Sequence, residues 1–307
     1  MEIALAVPTY NQAELLRAFL SAWRELGADL VPLIVVDDGS SDATPAVLRE
    51  AAHPRLTAHH LQHVSAAHAR NHALRQAPTP WLAFTDTDCI LSRSYFENLA
   101  NIPSRYPGAA AVEGPVRPVA GPKPPFTHSL HNPGGTYATA NMVFRVDKVL
   151  ALGGFDEGFT ANYREDTDLA LTLLDHDVAI PFCADLVVEH PHLPRGFLRS
   201  LRAAYRTQVR LVAAEMRLYR KHPSSYARVR HHGDARGTLA DWCVKYFALY
   251  FKECLRYLCR QPGLRAGERL RAVAPALQAM IVALAEQACI VGLCMVKWRE
   301  IARLKRS

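Results

Sequence analysis

Asp86 and Asp88 flank Thr87 at the point where the apolar run Leu82-Ala83-Phe84 ends. Acids at i and i+2 of a strand end point to one side. A hard divalent cation takes carboxylate oxygens and keeps phosphate oxygens and waters in its other positions. A polar turn is the plainer reading of the same three residues, because acids commonly mark turns. Asp37-Asp38-Gly39-Ser40 closes another apolar run and reads either as a turn or as carboxylates able to accept a base N–H and a ribose hydroxyl. Glu165-Asp166 opens a helical stretch. The helix dipole alone would favour acids there, and a general base is the functional alternative. His190-Pro191-His192 ends a further strand, and either histidine could ligate a metal.

These residues matter together only if the chain brings them to one place. Residues 3–8 are a short apolar strand signal. Residues 12–26 put Leu15, Leu16, Phe19, Leu20, Trp23 and Leu26 on one helical face. Residues 30–42 hold a β-branched run ended by acids. A helix start follows, with Asp42 or Thr44 as N-cap and Pro45 at N1. Residues 65–77 read as helix and 81–86 as strand. Alternating strands and helices imply right-handed crossovers and a mainly parallel sheet, with ligands outside the carboxyl ends of its strands. The polar clusters at 8–11, 37–40 and 86–88 would then share one sheet edge. Further on, 103–137 is rich in proline and glycine and reads as loop. Residues 139–159 give a strand, a short helix and a glycine turn, 164–177 a helix, and 185–192 a strand.

The composition fits a globular protein, with half of its 307 residues apolar. Seven cysteines without CxxC spacing signal neither a zinc site nor a disulfide framework. The opening MEIALAVPTYN lacks the pattern of a signal peptide. Residues 1–194 carry 13 Lys/Arg against 22 Asp/Glu, whereas 195–307 carry 23 against 7. A basic half of this kind suits an anionic membrane surface or nucleic acid. Its aromatics lie on the apolar face of a helix at 238–260 rather than on a strand platform, which disfavours nucleic acid. Residues 272–296 are long enough to span a bilayer, but the central Glu286 argues against a span. Spanning, lying on and avoiding the membrane all stay open.

VPTYN, IVVDDGSSDAT, ARNHALRQA, FTDTD, GGFDE and REDTDLAL occur in this order. Together they resemble the family 2 glycosyltransferases over about residues 1–195. The resemblance implies a GT-A fold, α/β with a Rossmann-like, mainly parallel sheet and flanking helices, over 1–200. The basic helical region 201–307 would be membrane-associated or acceptor-binding. It implies an inverting, metal-dependent transfer from a nucleotide sugar, expectedly a UDP-sugar, to a glycan or lipid-linked acceptor. This would serve glycan, cell-envelope or glycolipid synthesis at the cytoplasmic face of the membrane.

By the same resemblance, Tyr10 with Pro8 would stack near the base, Asp38 would bind it, and Arg70 would support the nucleotide. Asp86 would contact the ribose, and Asp88 with His190 would hold Mg2+ or Mn2+. Asn141 would line the sugar or acceptor pocket, and Asp166 would be the base. Ser65 and Ala73 stand where glycines are common in the family, and Thr172 where an arginine often follows. Gln208-Val209-Arg210 does not supply the signature of processive synthases, so single addition is expected. A nucleotidyltransferase of similar sheet architecture would show a glycine- and lysine- or arginine-rich phosphate loop near the N-terminus, and this chain has none. The retained Asp86, Asp88 and Asp166 disfavour a non-catalytic binding protein.

Overall fold

β1 (Ile3–Thr9), β2 (Leu33–Asp37) and β4 (Trp81–Phe84) are almost wholly buried along their length. Strands this apolar need cover on both faces, which a crossover topology provides. The structure, a computed structural model, describes residues 2–121, 127–159, 163–194, 214 and 217–226. The six-stranded sheet has the order β3-β2-β1-β4-β8-β5. Here β3 is Leu56–His60, β5 Ala111–Glu113 and β8 Met142–Arg145. The pairs β3-β2, β2-β1 and β1-β4 are parallel, while β8 runs antiparallel to both β4 and β5. The expected mainly parallel sheet is present, with one reversed strand inserted beside β4.

Successive strand residues divide between two cores, as a two-residue side-chain period requires. Ile3, Leu5, Val7, Leu33, Val35, Trp81 and Ala83 pack on one face with Leu16, Phe19, Leu20 and Trp23 of α1 (Ala13–Leu26). The indole of Trp23 donates to the Val31 carbonyl at 3.0 Å, so its one polar group is satisfied. Ala4, Ala6, Ile34, Val36, Leu82 and Phe84 face the other core. That core takes Ala67, Ala69, Ala73 and Leu74 of α3 (Ala66–Arg75). Between α1 and α3 lies α2 (Thr44–Glu50). Truncating a fully buried leucine such as Leu16 to alanine would cost roughly 2–5 kcal/mol.

The helix starts follow local chemistry. Ser65 caps α3, its hydroxyl accepting from His68 N at 3.2 Å. At α2 the cap position falls to Ala43, which has no side chain to use. Asp42, one residue earlier, accepts from Thr44 N at 2.9 Å with one oxygen and from Ala13 N at 3.1 Å with the other. The acid expected to cap one helix thus also ties the entry of α1.

After β4 come α4 (Arg93–Ala100) and α5 (Ile102–Arg105), then β5, β6 (Val116–Pro118) and the two-residue β7 (Thr127–His128). A 3-10 turn at Thr139–Asn141 leads into β8, α6 (Val146–Ala151), α7 (Glu165–Asp175) and β9 (Val188–His190). β6 and β9 pair in parallel as a small second sheet. The first compact unit comprises Met1–Gly121, Ser129–Leu193 and Ala213–His231; the second comprises Pro122–His128, Pro194–Val212 and His232–Ser307. No helix among the described residues is long and apolar enough to cross a membrane. The helices expected at 238–260 and 272–296 lie outside the described residues.

Candidate active site

Parallel pairing of β4-β1-β2 puts Thr85, Tyr10 and Asp38 just beyond the same sheet edge. The β1 and β2 ends are tied directly. Asn11 takes a left-handed φ of 52°, which asparagine tolerates better than most residues. Its side-chain oxygen accepts from Ser41 N at 2.8 Å, and its own N–H donates to Ser40 Oγ at 2.8 Å. Asp37 is fully buried and structural: it accepts from Ser40 N at 2.9 Å and meets His60 Nδ1 at 2.7 Å. Asp38 points elsewhere. One oxygen accepts from Val64 N at 3.0 Å, and the other lies 3.0 Å from His63 Nδ1. Tyr10 is 41% exposed and stacks on the His63 ring at 4.0 Å and 16°. Pro8 lies one strand residue before buried Thr9 and is itself half-buried.

At the β4 end, Thr85 donates to the Ala140 carbonyl at 2.9 Å and Thr87 hydrogen-bonds Gln12. Threonines thus fix the backbone on both sides of Asp86. The Asp88 carboxylate lies 3.6 Å from His190 Nε2. His190 Nδ1 meets the Pro191 carbonyl at 2.8 Å, so Nδ1 carries a hydrogen and Nε2 is the nitrogen turned toward Asp88. An imidazole nitrogen and a carboxylate 3.6 Å apart suit a shared cation. Asp86, Asp88 and Cys89 also offer ligand atoms within 4.8 Å of one another. Cys89 fits a hard cation poorly, because burial pushes its thiol far above the usual range. The donor set of Asp88 and His190, with Asp86 beside it, fits Mg2+ or Mn2+. His192 has no hydrogen-bond partner on either ring nitrogen, and its nitrogens are buried.

Arg70 links this cluster to α7. Its guanidinium donates to Glu165 at 2.7 Å and lies 3.7 Å from Asp86. Burial disfavours its charge, but Glu165 and Asp86 outweigh burial and hold it firmly cationic. Burial likewise raises the Asp86 and Glu165 carboxyls above their usual range, with Arg70 opposing. Arg70 is enclosed, so any support it gives to a nucleotide passes through Asp86. Next to Glu165, Asp166 accepts from Thr167 N at 2.7 Å and from Thr139 N at 3.3 Å. A left-handed Arg164, with φ of 74°, sets the start of α7.

Asn141 departs from expectation. It was expected to line a sugar or acceptor pocket, yet it has no exposed surface. Its amide donates to the carbonyls of Pro115 at 2.9 Å and Leu186 at 2.6 Å. It packs so closely on Gly114 that a Cβ there would lie 2.3 Å from Asn141 Nδ2. The residue bridges two loops because both amide hydrogens are used internally.

Sequence reading also passed over Glu113. Its buried carboxylate accepts from Asn132 Nδ2 and from the backbone N–H groups of Gly135, Thr136 and Tyr137 at 2.7–3.1 Å. It holds the loop leading to Thr139 and so to Asp166. A lone glutamate at the end of a three-residue strand gives no pattern to find it by.

A parallel sheet with a reversed strand, and acids from three strand ends and one helix start at its edge, define a GT-A type of α/β fold. Residues 4–153 match the family model "Glycosyl transferase family 2". Over those residues the chain belongs to glycosyl transferase family 2. It is 27% identical over 208 residues to the pre-mycofactocin glycosyltransferase of Mycobacterium tuberculosis, covering 62% of this chain and 43% of that protein. It is 26% identical over 241 residues to the validoxylamine A glucosyltransferase of Streptomyces hygroscopicus subsp. jinggangensis, covering 62% and 56%. The chain therefore spans about half the length of these curated relatives. Among solved structures it is similar to the mannosyltransferase PcManGT from Pyrobaculum calidifontis in complex with GDP-Man and Mn2+. There the TM-score is 0.51 at 21% identity, over 94% of this chain and 87% of that one. It is also similar to S. aureus TarS 1-349 in complex with UDP, with a TM-score of 0.50 at 16% identity over 95% and 92%. At such identities these likenesses speak for the fold.

Proposed function

We propose that the chain is an inverting glycosyltransferase that moves a sugar from a nucleoside diphosphate donor to an acceptor hydroxyl. The observation that carries this reading is the chain of contacts from the Asp88–His190 pair, through neighbouring Asp86 and Arg70, to the helix start bearing Glu165 and Asp166. One end suits a metal-bound diphosphate and the other a base.

Tyr10 and Asp38 take the nucleobase, and Asp86 accepts a ribose hydroxyl. Asp88 and His190 hold Mg2+ or Mn2+, which supplies positive charge against the leaving diphosphate when bound. Asp166 takes the proton of the acceptor hydroxyl as that oxygen attacks the anomeric carbon. The N–H groups of Thr167 and Thr139 hold the Asp166 carboxylate in place. A single displacement from the face opposite the leaving group inverts the anomeric centre. Asn141 and Glu113 act behind the site, fixing the loops around it. A UDP-sugar is the proposed donor.

The basic composition of residues 195–307 supports an acceptor presented at an anionic membrane surface, with the protein at its cytoplasmic face. Co-sedimentation with anionic but not neutral vesicles tests that part.

The transferase reading is tested by screening nucleotide sugars for metal-dependent nucleoside diphosphate release, with Asp166→Asn as control. Release in the wild type and its loss in the variant are expected. Unchanged turnover in Asp166→Asn removes that residue as the base. No release from any donor, with or without lipid acceptors, removes the reading itself.

A further inference from the structure

Tyr10 and Asp38 already share a partner within the chain. The His63 ring lies parallel to Tyr10, with centroids 4.0 Å apart and planes 16° apart. The same ring places Nδ1 3.0 Å from Asp38 Oδ2 and 3.1 Å from the Asp38 carbonyl. Both neighbours are acceptors, so Nδ1 carries the hydrogen and donates it. The remaining Asp38 oxygen accepts from Val64 N at 3.0 Å.

A planar ring that stacks on Tyr10 while donating an N–H to Asp38 describes the imidazole as it stands. It equally describes the nucleobase under the reading above, on which this inference rests. A base making both contacts on the same face of Tyr10 lies where the imidazole lies. We infer that His63 is an internal competitor for the nucleobase, a side chain that must swing aside for the donor to bind.

The surroundings allow that movement. The His63 side chain is 49% exposed, whereas Asp38 is 6% exposed and stays in place. The 61–63 backbone is anchored against Gly39, which has φ of 75°. A Cβ at Gly39 would come within 2.6 Å of His63 N and 3.0 Å of the Leu61 carbonyl. The flanking backbone is tied by Leu61 N to the Asp37 carbonyl at 2.8 Å and by Val64 N to Asp38 at 3.0 Å, while the half-exposed ring has solvent to rotate into. Donor affinity would include the loss of one ring stack and one exposed hydrogen bond. A base able to replace both recovers them, and a ligand without a base does not displace the ring. His63 thereby weakens the binding of complete nucleotides and leaves that of free phosphates unaffected.

The test is calorimetric titration of UDP, GDP and pyrophosphate, with Mn2+ present, into the full chain and its His63→Ala, Tyr10→Ala and Asp38→Ala variants. His63→Ala should bind UDP or GDP about three- to tenfold more tightly, the range set by one aromatic pair and one exposed bond. Its pyrophosphate affinity should not change. Unchanged or weaker nucleotide binding by His63→Ala overturns the inference and makes the ring a buttress of the site. Nucleotide binding undiminished in both Tyr10→Ala and Asp38→Ala overturns the assignment of the base site itself, and the inference with it. His63 is exposed, so circular dichroism should show that its variant keeps the fold.

Discussion

Replacing Arg70 by leucine should destabilise the protein by about 3–5 kcal/mol, the cost of breaking a buried ion pair from one side. The structure shows where that cost falls. The Glu165 side chain is 5% exposed and bonds Arg70 at 2.7 Å, so it would be left enclosed without a counter-charge. Asp86, 3.7 Å away, has a side chain 38% exposed and can turn to water. The double variant Arg70→Leu/Glu165→Leu removes both charges and should recover much of the loss, because no unpaired ion remains. Urea unfolding of the wild type, both single variants and the double variant closes the cycle.

The cost should also depend on pH. Burial raises Glu165 above its ordinary value while Arg70 opposes that rise. A group raised in the folded state gives stability that is present below its unfolded value and lost as pH rises through the folded one. Without Arg70 the folded value climbs further, so the loss extends to higher pH. Arg70→Leu should therefore be less damaging at about pH 5 than at about pH 8. A single-variant cost below about 1 kcal/mol, or a double variant as unstable as the two singles summed, would refute the buried-charge reasoning.

Asp88→Ala should abolish Mn2+ binding in the presence of UDP, and His190→Ala should weaken it about tenfold or more, read by the Mn2+ resonance signal rather than by turnover. His222 lies between Asp168 at 2.9 Å and Asp175 at 2.6 Å; burial works against its charge, but the two acids outweigh burial and raise it. Its contribution is present below the ordinary histidine value and disappears as pH rises through the raised one, so melting between about pH 6 and pH 9 should fall more in the wild type than in His222→Gln. Gly154→Ala should cost about 2 kcal/mol by urea unfolding. Its φ is 72°, and the new Cβ would lie 2.6 Å from Asn71 Oδ1, which accepts from Phe155 N at 2.8 Å.

The readable elements were those whose pattern follows from burial. β1, β2 and β4 are central strands and had to be apolar, and α1 shows its buried face at helical spacing. β3 gave no such signal: at the sheet edge, its residues Leu-Thr-Ala-His-His are mostly exposed. α4 was missed for a related reason, since only Tyr95, Phe96 and Leu99 of its eight residues are buried. The order of polar clusters after strands was legible, because a parallel sheet forces successive strand ends onto one edge.

The sequence by itself settled the kinds of groups available and the edge at which they meet. What each group does there came from tertiary contacts. Asp37 and Asp38 are adjacent and chemically alike, yet the pleat buries the first against Ser40 and His60 and turns the second toward His63. Asn141 sits in a promising motif but is spent on two carbonyls from distant loops. Arg70 meets Glu165 across 95 residues of chain. Local pattern records which face of a strand or helix is covered. It does not record which distant group a polar side chain will find, because that partner is fixed only when the sheet, its helices and the returning loops have packed.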